Sequence, residues 1–404
     1  MLNLLKQEFN LFFLVNPLYI YCATFALSIF VYSWSWSGLY PEFSYSLMVF
    51  FLCTFGLSII FFRILKSELN LTFNKILRDR SHYLLLDFIF FIIITLGILN
   101  IYLTGYLPVL DRSHGHLAFG VPGLDPLFNS LSIFFSVFFF QTFLESRKKR
   151  YIIYFILIII FHLLIFRRSA VIWILTSSVF MFILNRKNIK TIVLLVCFLC
   201  VPLISFGFGI YGNMRNNLGQ SYIMNELGPS EHFKNSGISH NHYLTYIYLS
   251  SPLANLQNTI DKGEGFTNNG EFKKFVFYCI IPQSLTLRME KSSKMSAPDY
   301  TLIHPHLIVG SFLLLSYSSL GWLGMVLMIL FLFSYIVACL GLIKRWDTFN
   351  LTTFSILVTT VSLLTFSNFL NRLDVIFTLF VYPVIFHYVF RLANRERPVP
   401  ELNK

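Results

Sequence analysis

The chain has 404 residues, of which 56% are apolar and only 12% are charged. A soluble core of this size cannot absorb so much apolar sequence, so the composition excludes an ordinary soluble globular protein and indicates a membrane protein. The formal net charge of +12 would favour a nucleic-acid partner in a soluble protein. Here the basic residues lie mainly between apolar segments, where they report topology, and we expect no nucleic-acid partner.

Apolar segments of about 20 residues, the length that crosses a bilayer, recur along the chain. They predict ten transmembrane helices, at 17–34, 43–62, 84–103, 127–144, 151–166, 169–184, 191–211, 322–343, 351–370 and 375–391. No cleavable leader is visible before the first segment, which is expected to serve as a signal anchor. The predicted fold class is therefore all-α: a polytopic helical membrane protein with a large, partly helical external loop.

The distribution of basic residues predicts the orientation. If ten helices alternate, 19 of the 31 Lys and Arg fall on one side, together with both termini, and that side is predicted to be cytoplasmic. Seven of the ten histidines fall on the other side. The predicted divisions are 1–211, a bundle of spans 1–7; 212–319, a large periplasmic loop; and 320–404, spans 8–10 with a cytoplasmic tail.

The large loop contains apolar stretches at 240–260 and 272–281, each punctuated by proline. Such stretches predict short helices that lie along the membrane surface. A further apolar stretch, 307–319, is too short to cross the bilayer and is separated from the next span by Gly321. It predicts a helix that dips partway into the membrane.

Arginines mark the outer helix ends. Arg167 and Arg168 lie between two spans with almost no connecting loop, so they are expected at the level of lipid phosphates, which guanidinium groups bind bidentately. Interfacial snorkelling is the alternative reading. Arg215, Arg288 and Arg372 add outer positive charge, and two or three of these arginines are expected to converge on one pyrophosphate.

Histidines close the large loop in the sequence His304-Pro305-His306. A neutral imidazole can accept a proton from a sugar hydroxyl near neutral pH, so His304 or His306 is the candidate general base. Neither Cys nor an HExxH motif accompanies the histidines, and no phosphate-binding loop for ATP occurs. We therefore expect no metal and no cofactor, with the energy supplied by the substrate itself.

Three segments, in this order, resemble the O-antigen polymerase and O-antigen ligase superfamily of membrane glycosyltransferases. FRRSA, with Arg168, is similar to the arginine element at the tight outer turn. YIYLSSPLANLQ is similar to a Tyr and Pro segment of the polymerase loop. IHPHLIVGSFLLLSYSSLGWLG is similar to the end of the loop, with its histidine and the Gly-x-x-Gly formed by Gly321 and Gly324.

The resemblance implies a GT-C-like fold in the bacterial inner membrane and a metal-independent transfer at the periplasmic face. The donor and acceptor would be undecaprenyl-diphosphate-linked oligosaccharides, polymerised into O-antigen or a similar surface polysaccharide. Arg168 would bind the leaving pyrophosphate with Arg215 and with Arg167, Arg288 or Arg372. Membrane lipids and a chain-length regulator are the other expected partners. Three tyrosines of the loop, Tyr243, Tyr246 and Tyr248, are candidates to stack against sugars.

Two alternative functions stay open at this point. An O-antigen ligase would use the same machinery to transfer glycan to a lipid A core. A lipid-oligosaccharide flippase or other transporter belongs to a different class and would need a polar passage through the bundle, which the nearly uncharged spans disfavour.

Overall fold

The computed structural model describes residues 8–10, 15–69, 80–111, 119–186, 188–190, 226–263, 272–293 and 296–395. Most of these residues are helical, so the all-helical class predicted from the sequence is confirmed. One short ladder accompanies the helices. In it, strand β1 (Glu8–Asn10) pairs antiparallel with strand β2 (Asn188–Lys190), with Phe9 opposite Ile189.

The first half of the chain forms long apolar helices. Their bounds are α1 (Pro17–Tyr32), α2 (Tyr45–Leu69), α3 (Arg80–Thr104), α4 (Leu124–Ser146), α5 (Lys149–Leu164) and α6 (Arg168–Arg186). The start of α1 shows why such a helix begins where it does. The Asn16 side chain accepts hydrogen bonds from the N–H groups of Leu18 and Tyr19, and Pro17 takes the first helical position, where no N–H is needed.

The second half mixes short and long helices. Their bounds are α7 (Glu231–Lys234), α8 (His240–Asp261), α9 (Phe272–Phe275), α10 (Gln283–Ser293), α11 (Leu314–Arg345), α12 (Asn350–Ser362), α13 (Leu373–Ile376) and α14 (Tyr382–Arg395). Two π-helical turns, Val276–Ile280 and Phe377–Val381, follow α9 and α13. Short 3₁₀ turns lie at Asp347–Phe349, Leu363–Thr365 and Phe369–Asn371.

Six helices among the described residues are long and apolar enough to cross a membrane. They are Tyr45–Leu65, Ser81–Thr104, Leu124–Ser146, Arg168–Arg186, Leu314–Arg345 and Leu373–Ala393. The chain is therefore a membrane-embedded helical protein. Nine of the ten predicted spans overlap a described helix, and the seventh, 191–211, lies outside the described residues. Ten spans stay a prediction.

The predicted span 351–370 is too long at its C-terminal end. α12 ends at Ser362 and the chain continues into a 3₁₀ turn. There the carbonyl of Leu364 accepts a hydrogen bond from the N–H of Phe312 at 3.0 Å. This tertiary contact satisfies a carbonyl that the helix would otherwise have used, so the helix stops earlier than its apolar sequence indicates.

The first apolar stretch of the large loop is a single 22-residue helix, α8, which is longer than the short helix predicted. Its location along the membrane surface stays a prediction. Pro252 lies inside it without ending it. Between Ser250 and Gln257 every side chain is buried, so packing surrounds the helix there. Packing on all sides compensates for the backbone hydrogen bond that proline removes. Pro252 therefore does not mark a helix end.

The break predicted at Gly321 is confirmed, whereas the helix before it is shorter than predicted. Residues 307–313 are not helical, and α11 begins at Leu314. At Gly321 the backbone adopts φ +59° and ψ −143°, which breaks the helix. The chain folds back on itself there, because a Cβ added at Gly324 would lie 2.0 Å from the carbonyl oxygen of Ser316. In the Gly-x-x-Gly, Gly321 therefore allows the chain to reverse, and Gly324 allows the backbone after the reversal to approach the carbonyl of Ser316.

The described contacts divide the chain into two compact units that interleave in sequence. Unit 1 comprises Met1–Ser67, Arg186–Tyr335 and Thr360–Arg372. Unit 2 comprises Glu68–Asn185, Ile336–Thr359 and Leu373–Lys404. The linear division into 1–211, 212–319 and 320–404 stays a prediction.

We expect Gly324→Ala to destabilise the protein by about 1–3 kcal/mol, because the new methyl group overlaps backbone that cannot rotate away. Gly341→Ala in the same helix is the matched control, since no atom lies within 4 Å of its added Cβ. Thermal unfolding in detergent measures both. Equal melting temperatures for the two variants would contradict the close packing at Gly324.

Candidate functional site

An aromatic cluster fixes α8 within unit 1. The Tyr243 ring lies 4.8 Å from the Phe233 ring, and the Tyr246 ring lies 5.3 and 5.6 Å from those of Trp36 and Tyr40 (centroid distances). Tyr243 and Tyr246 are 0% and 2% exposed. Burial raises the pKa of Tyr246 to about 12. The cluster thus holds the segment after α1 and the segment around α7 against α8.

The predicted sugar-binding tyrosines differ in their accessibility. The rings of Tyr243 and Tyr246 are covered by protein and present no open face in this structure, whereas Tyr248 is half-buried. The hydroxyl of Tyr243 donates a 2.7 Å hydrogen bond to the carbonyl of Leu227. Of the three, Tyr248 is the one with surface to offer a ligand.

The side chain of Asn255 links the histidine segment to α8 by hydrogen bonds. Its side-chain nitrogen donates to the carbonyls of Leu307 and Val309 at 2.6 and 2.8 Å, and its oxygen accepts from the N–H of Ile303 at 2.9 Å. The side chain is fully buried. A non-helical segment has no internal partners for these backbone groups, so the amide of Asn255 replaces the missing secondary structure on both sides of His304 and His306.

His304 and His306 form a paired arrangement with a carboxylate. Their ring centroids lie 5.3 Å apart, and Nδ1 of His304 accepts the N–H of His306 at 3.3 Å. With Nδ1 accepting, the neutral His304 ring carries its proton on Nε2, which lies 3.9 Å from a carboxylate oxygen of Glu226. His304 has a side chain that is 16% exposed, whereas His306 is exposed.

This geometry separates the roles of the two histidines. The acceptor nitrogen of His304 is already used within the chain, so its ring is suited to orient the segment and to share charge with Glu226. The ring of His306 is exposed and is the more accessible of the two. The sequence did not distinguish the two rings.

Arg372 lies in a turn that is fixed to the large loop of unit 1. The side-chain amides of Asn368 and Asn371 donate to the carbonyls of Cys279 and Tyr278 at 2.8 and 2.9 Å. The Arg372 guanidinium lies 5.1 Å from the centre of the Phe369 ring. The π-helical turn that supplies these carbonyls therefore sets the position of Arg372.

Arg288 lies on α10, and Arg215 lies outside the described residues.

The tight turn between α5 and α6 lies in unit 2. Phe166 adopts the left-handed conformation, with φ +55°, and α6 begins two residues later at Arg168. Arg167 forms an ion pair with Asp125 in the first turn of α4, and Asn100 donates to the same carboxylate at 2.7 Å. The guanidinium of Arg167 is therefore already neutralised within the chain.

Arg168 follows at the first position of α6 and is half-buried. The FRRSA segment therefore holds Arg167, which pairs with Asp125, and Arg168, which is half-buried at the helix start. The sequence did not indicate the ion pair, because Asp125 is 42 residues away from Arg167 and carries no motif.

Sequence reasoning missed three supporting residues: Glu226, Asn255 and Asp125. Each acts through a contact with a residue far away in the sequence, and no local sequence pattern predicts that contact. Asn255 lies in the quoted YIYLSSPLANLQ segment, so its place in an unusually polar buried stretch was the one available signal. Within the described residues, no group of three His, Cys, Asp or Glu is close enough to hold a metal ion, and the expected absence of a metal stays a prediction.

The histidines, the tyrosines and Arg372 belong to unit 1, and Arg167 and Arg168 belong to unit 2. Comparisons with protein-family models, with curated proteins and with solved structures gave no match. The class that the fold defines is an all-helical membrane-embedded protein with polar side chains gathered at helix ends.

We expect Asn255→Ala to destabilise the 303–309 segment by about 2–4 kcal/mol, because two carbonyls and one N–H lose their partner. Asn258→Ala is the matched control, since Asn258 makes a single bond there, to the carbonyl of Thr301, and it should cost about 1 kcal/mol. Hydrogen exchange at the Ile303 amide measures the effect directly. Equal exchange rates in the two variants would refute the role of Asn255.

Arg167→Gln and Asp125→Asn should each destabilise the protein by about 1–2 kcal/mol, and the double variant should lose less than the sum. The exposed pair of Lys234 and Glu231 provides a control cycle with a coupling near zero. Chemical or thermal unfolding measures both cycles. Additive losses at Arg167 and Asp125 would return Arg167 to the list of substrate-binding candidates.

Proposed function

We propose that the protein is a membrane glycosyltransferase of the O-antigen polymerase type. It transfers a growing glycan from one polyprenyl diphosphate to the terminal sugar hydroxyl of a second lipid-linked repeat unit. The reaction takes place at the external face of the bacterial inner membrane, with both termini in the cytoplasm. The donor's own diphosphate ester supplies the free energy.

The observation that carries the proposal is the arrangement of His304, His306 and Glu226. An exposed imidazole lies beside a second imidazole whose Nε2 is 3.9 Å from a carboxylate oxygen, on a segment whose backbone Asn255 holds from both sides. A general base has to be held in position to be effective, and this segment is held by buried hydrogen bonds. The arrangement supports proton transfer from a hydroxyl group.

The reaction balances without a cofactor. The acceptor hydroxyl oxygen forms a bond to the anomeric carbon of the donor glycan, and its proton goes to His306. The bond between the anomeric carbon and the diphosphate oxygen breaks, and the leaving polyprenyl diphosphate takes the electron pair. His304 accepts the backbone N–H of His306 and so positions it, and the carboxylate of Glu226 adds a negative charge beside His304.

Arginines stabilise the charge that develops on the leaving diphosphate. Arg168 is assigned this role from its place in the FRRSA segment. Arg372, held over Phe369 by the turn at Asn368, is the residue of unit 1 suited to it. Arg215 and Arg288 remain in the proposal on the strength of the sequence.

The six apolar helices support a lipid-linked substrate, since such a donor reaches a protein from within the bilayer. The same machinery would serve a ligase with a lipid A core acceptor. Deletion of the gene separates the two functions: loss of a polymerase leaves single repeats attached to the core, whereas loss of a ligase leaves none attached.

The decisive test is lengthening of lipid-linked repeats by the purified protein in detergent. His306→Ala should reduce the rate by about 10²–10⁴, the usual contribution of a general base. Arg168→Ala should reduce the rate by a similar factor. Arg168→Lys should recover part of the loss, because lysine keeps the positive charge but does not bind phosphate bidentately.

His232→Ala is the matched control, because His232 is an exposed histidine elsewhere in the same loop. Each variant is first checked for wild-type yield and melting temperature. A folded His306→Ala variant with undiminished polymer length would refute the assigned base. A wild-type protein that moves lipid-linked repeats across vesicles without lengthening them would favour a flippase.

A further inference from the structure

A cavity of about 440 Å³ lies at the end of unit 2 that carries the turn between α4 and α5. Tyr83, Leu84, Lys148 and Arg150 line it. Its volume falls within the range of ligand pockets, roughly 300–1,000 Å³. No predicted site residue contributes to it.

The charge of the cavity favours an anion. Arg150 contacts Asp87 at 2.6 Å, so these two charges cancel. Among the described residues, no carboxylate pairs with the ammonium group of Lys148, which lies 3.2 Å from the centre of the Tyr83 ring. The lining therefore keeps one net positive charge, held over an aromatic ring, with the exposed Lys149 next to it in sequence.

The cavity lies at the ends of two apolar helices. Tyr83 and Leu84 lie near the start of α3, and Lys148 lies two residues after the end of α4. Both helices are long and apolar enough to span the bilayer. Tyrosine and lysine at a span end are typical of the membrane–water interface.

An apolar surface continues from the cavity along the same helix. Leu84, Phe88 and Phe91 follow each other at helical spacing on α3 and are 60%, 62% and 63% exposed. A soluble anion would gain nothing from this row, whereas an acyl chain would pack along it. The combination of a cationic cavity with an exposed apolar row therefore favours a phospholipid over a free phosphate.

We infer that this cavity binds the phosphate headgroup of an anionic glycerophospholipid. Lys148 binds the phosphate, and an acyl chain packs along the exposed row of Leu84, Phe88 and Phe91 on α3. Basic pockets between transmembrane helices bind such headgroups on the cytoplasmic side, which is the side that the charge bias predicts here. The 23-residue length of α4 separates the site from the Arg167 end of unit 2 by about 35 Å. The cavity is therefore separate from the turn that carries Arg167 and Arg168.

The test uses the full-length protein in nanodiscs of phosphatidylcholine alone or mixed with phosphatidylglycerol. Native mass spectrometry then measures the lipid that stays bound. We expect wild type to retain phosphatidylglycerol selectively, and Lys148→Gln to weaken its retention about tenfold. Lys148→Arg should keep it, because the guanidinium group still binds phosphate.

Lys149→Gln is the matched control, since it removes the same charge one residue away but does not line the cavity. It should weaken retention by no more than about fivefold, the effect of removing one cation near an anionic surface. Equal losses in the two glutamine variants would overturn the site in favour of a diffuse surface charge. Equal retention of phosphatidylcholine would also overturn it.

Inorganic phosphate distinguishes the two sources of the anion. Added to the lipid-free protein in detergent, it should leave the melting temperature of wild type unchanged, whereas phosphatidylglycerol should raise it. A rise with inorganic phosphate that Lys148→Gln abolishes would show a site for a soluble phosphate and overturn the lipid assignment.

Discussion

The structure depends on the cost of leaving a charged or polar group unpartnered in hydrocarbon. Two ion pairs lie at the ends of the described spans, Asp87 with Arg150 and Asp125 with Arg167. The two pairs lie at opposite ends of unit 2, because α4 begins beside one and ends beside the other. Such pairing lets helices carry charge at their ends while their lipid-facing middle remains apolar.

The same constraint explains how irregular backbone is stabilised in unit 1. The segment around His304 lacks regular secondary structure, and the amide of Asn255 both donates to it and accepts from it. Asn368 and Asn371, beside the 3₁₀ turn before Arg372, donate to the carbonyls of Cys279 and Tyr278. The candidate residues His306 and Arg372 are carried by these two segments.

Two glycines in the first part of α11 allow the chain to reverse and to pack closely on itself. Gly321 permits a reversal that other residues disfavour, and Gly324 permits contact with the carbonyl of Ser316. The residues before the reversal continue into the segment that Asn255 holds. The reversal in α11 and the segment that carries the histidines therefore belong to one continuous stretch of chain. Backbone contacts position this stretch.

The sequence by itself determined the membrane class, the positions of the apolar helices and the break at Gly321, because hydrophobic length and glycine conformation are local properties. It also identified the histidines and arginines as the polar groups of interest. Only the tertiary structure decided that Pro252 stays inside a helix, that α12 ends early, and that Tyr243 and Tyr246 are buried. It likewise decided that Arg167 pairs with Asp125 and that Glu226 accompanies His304. Each of these outcomes rests on a contact between residues far apart in the chain, where the local pattern carries no information about the partner.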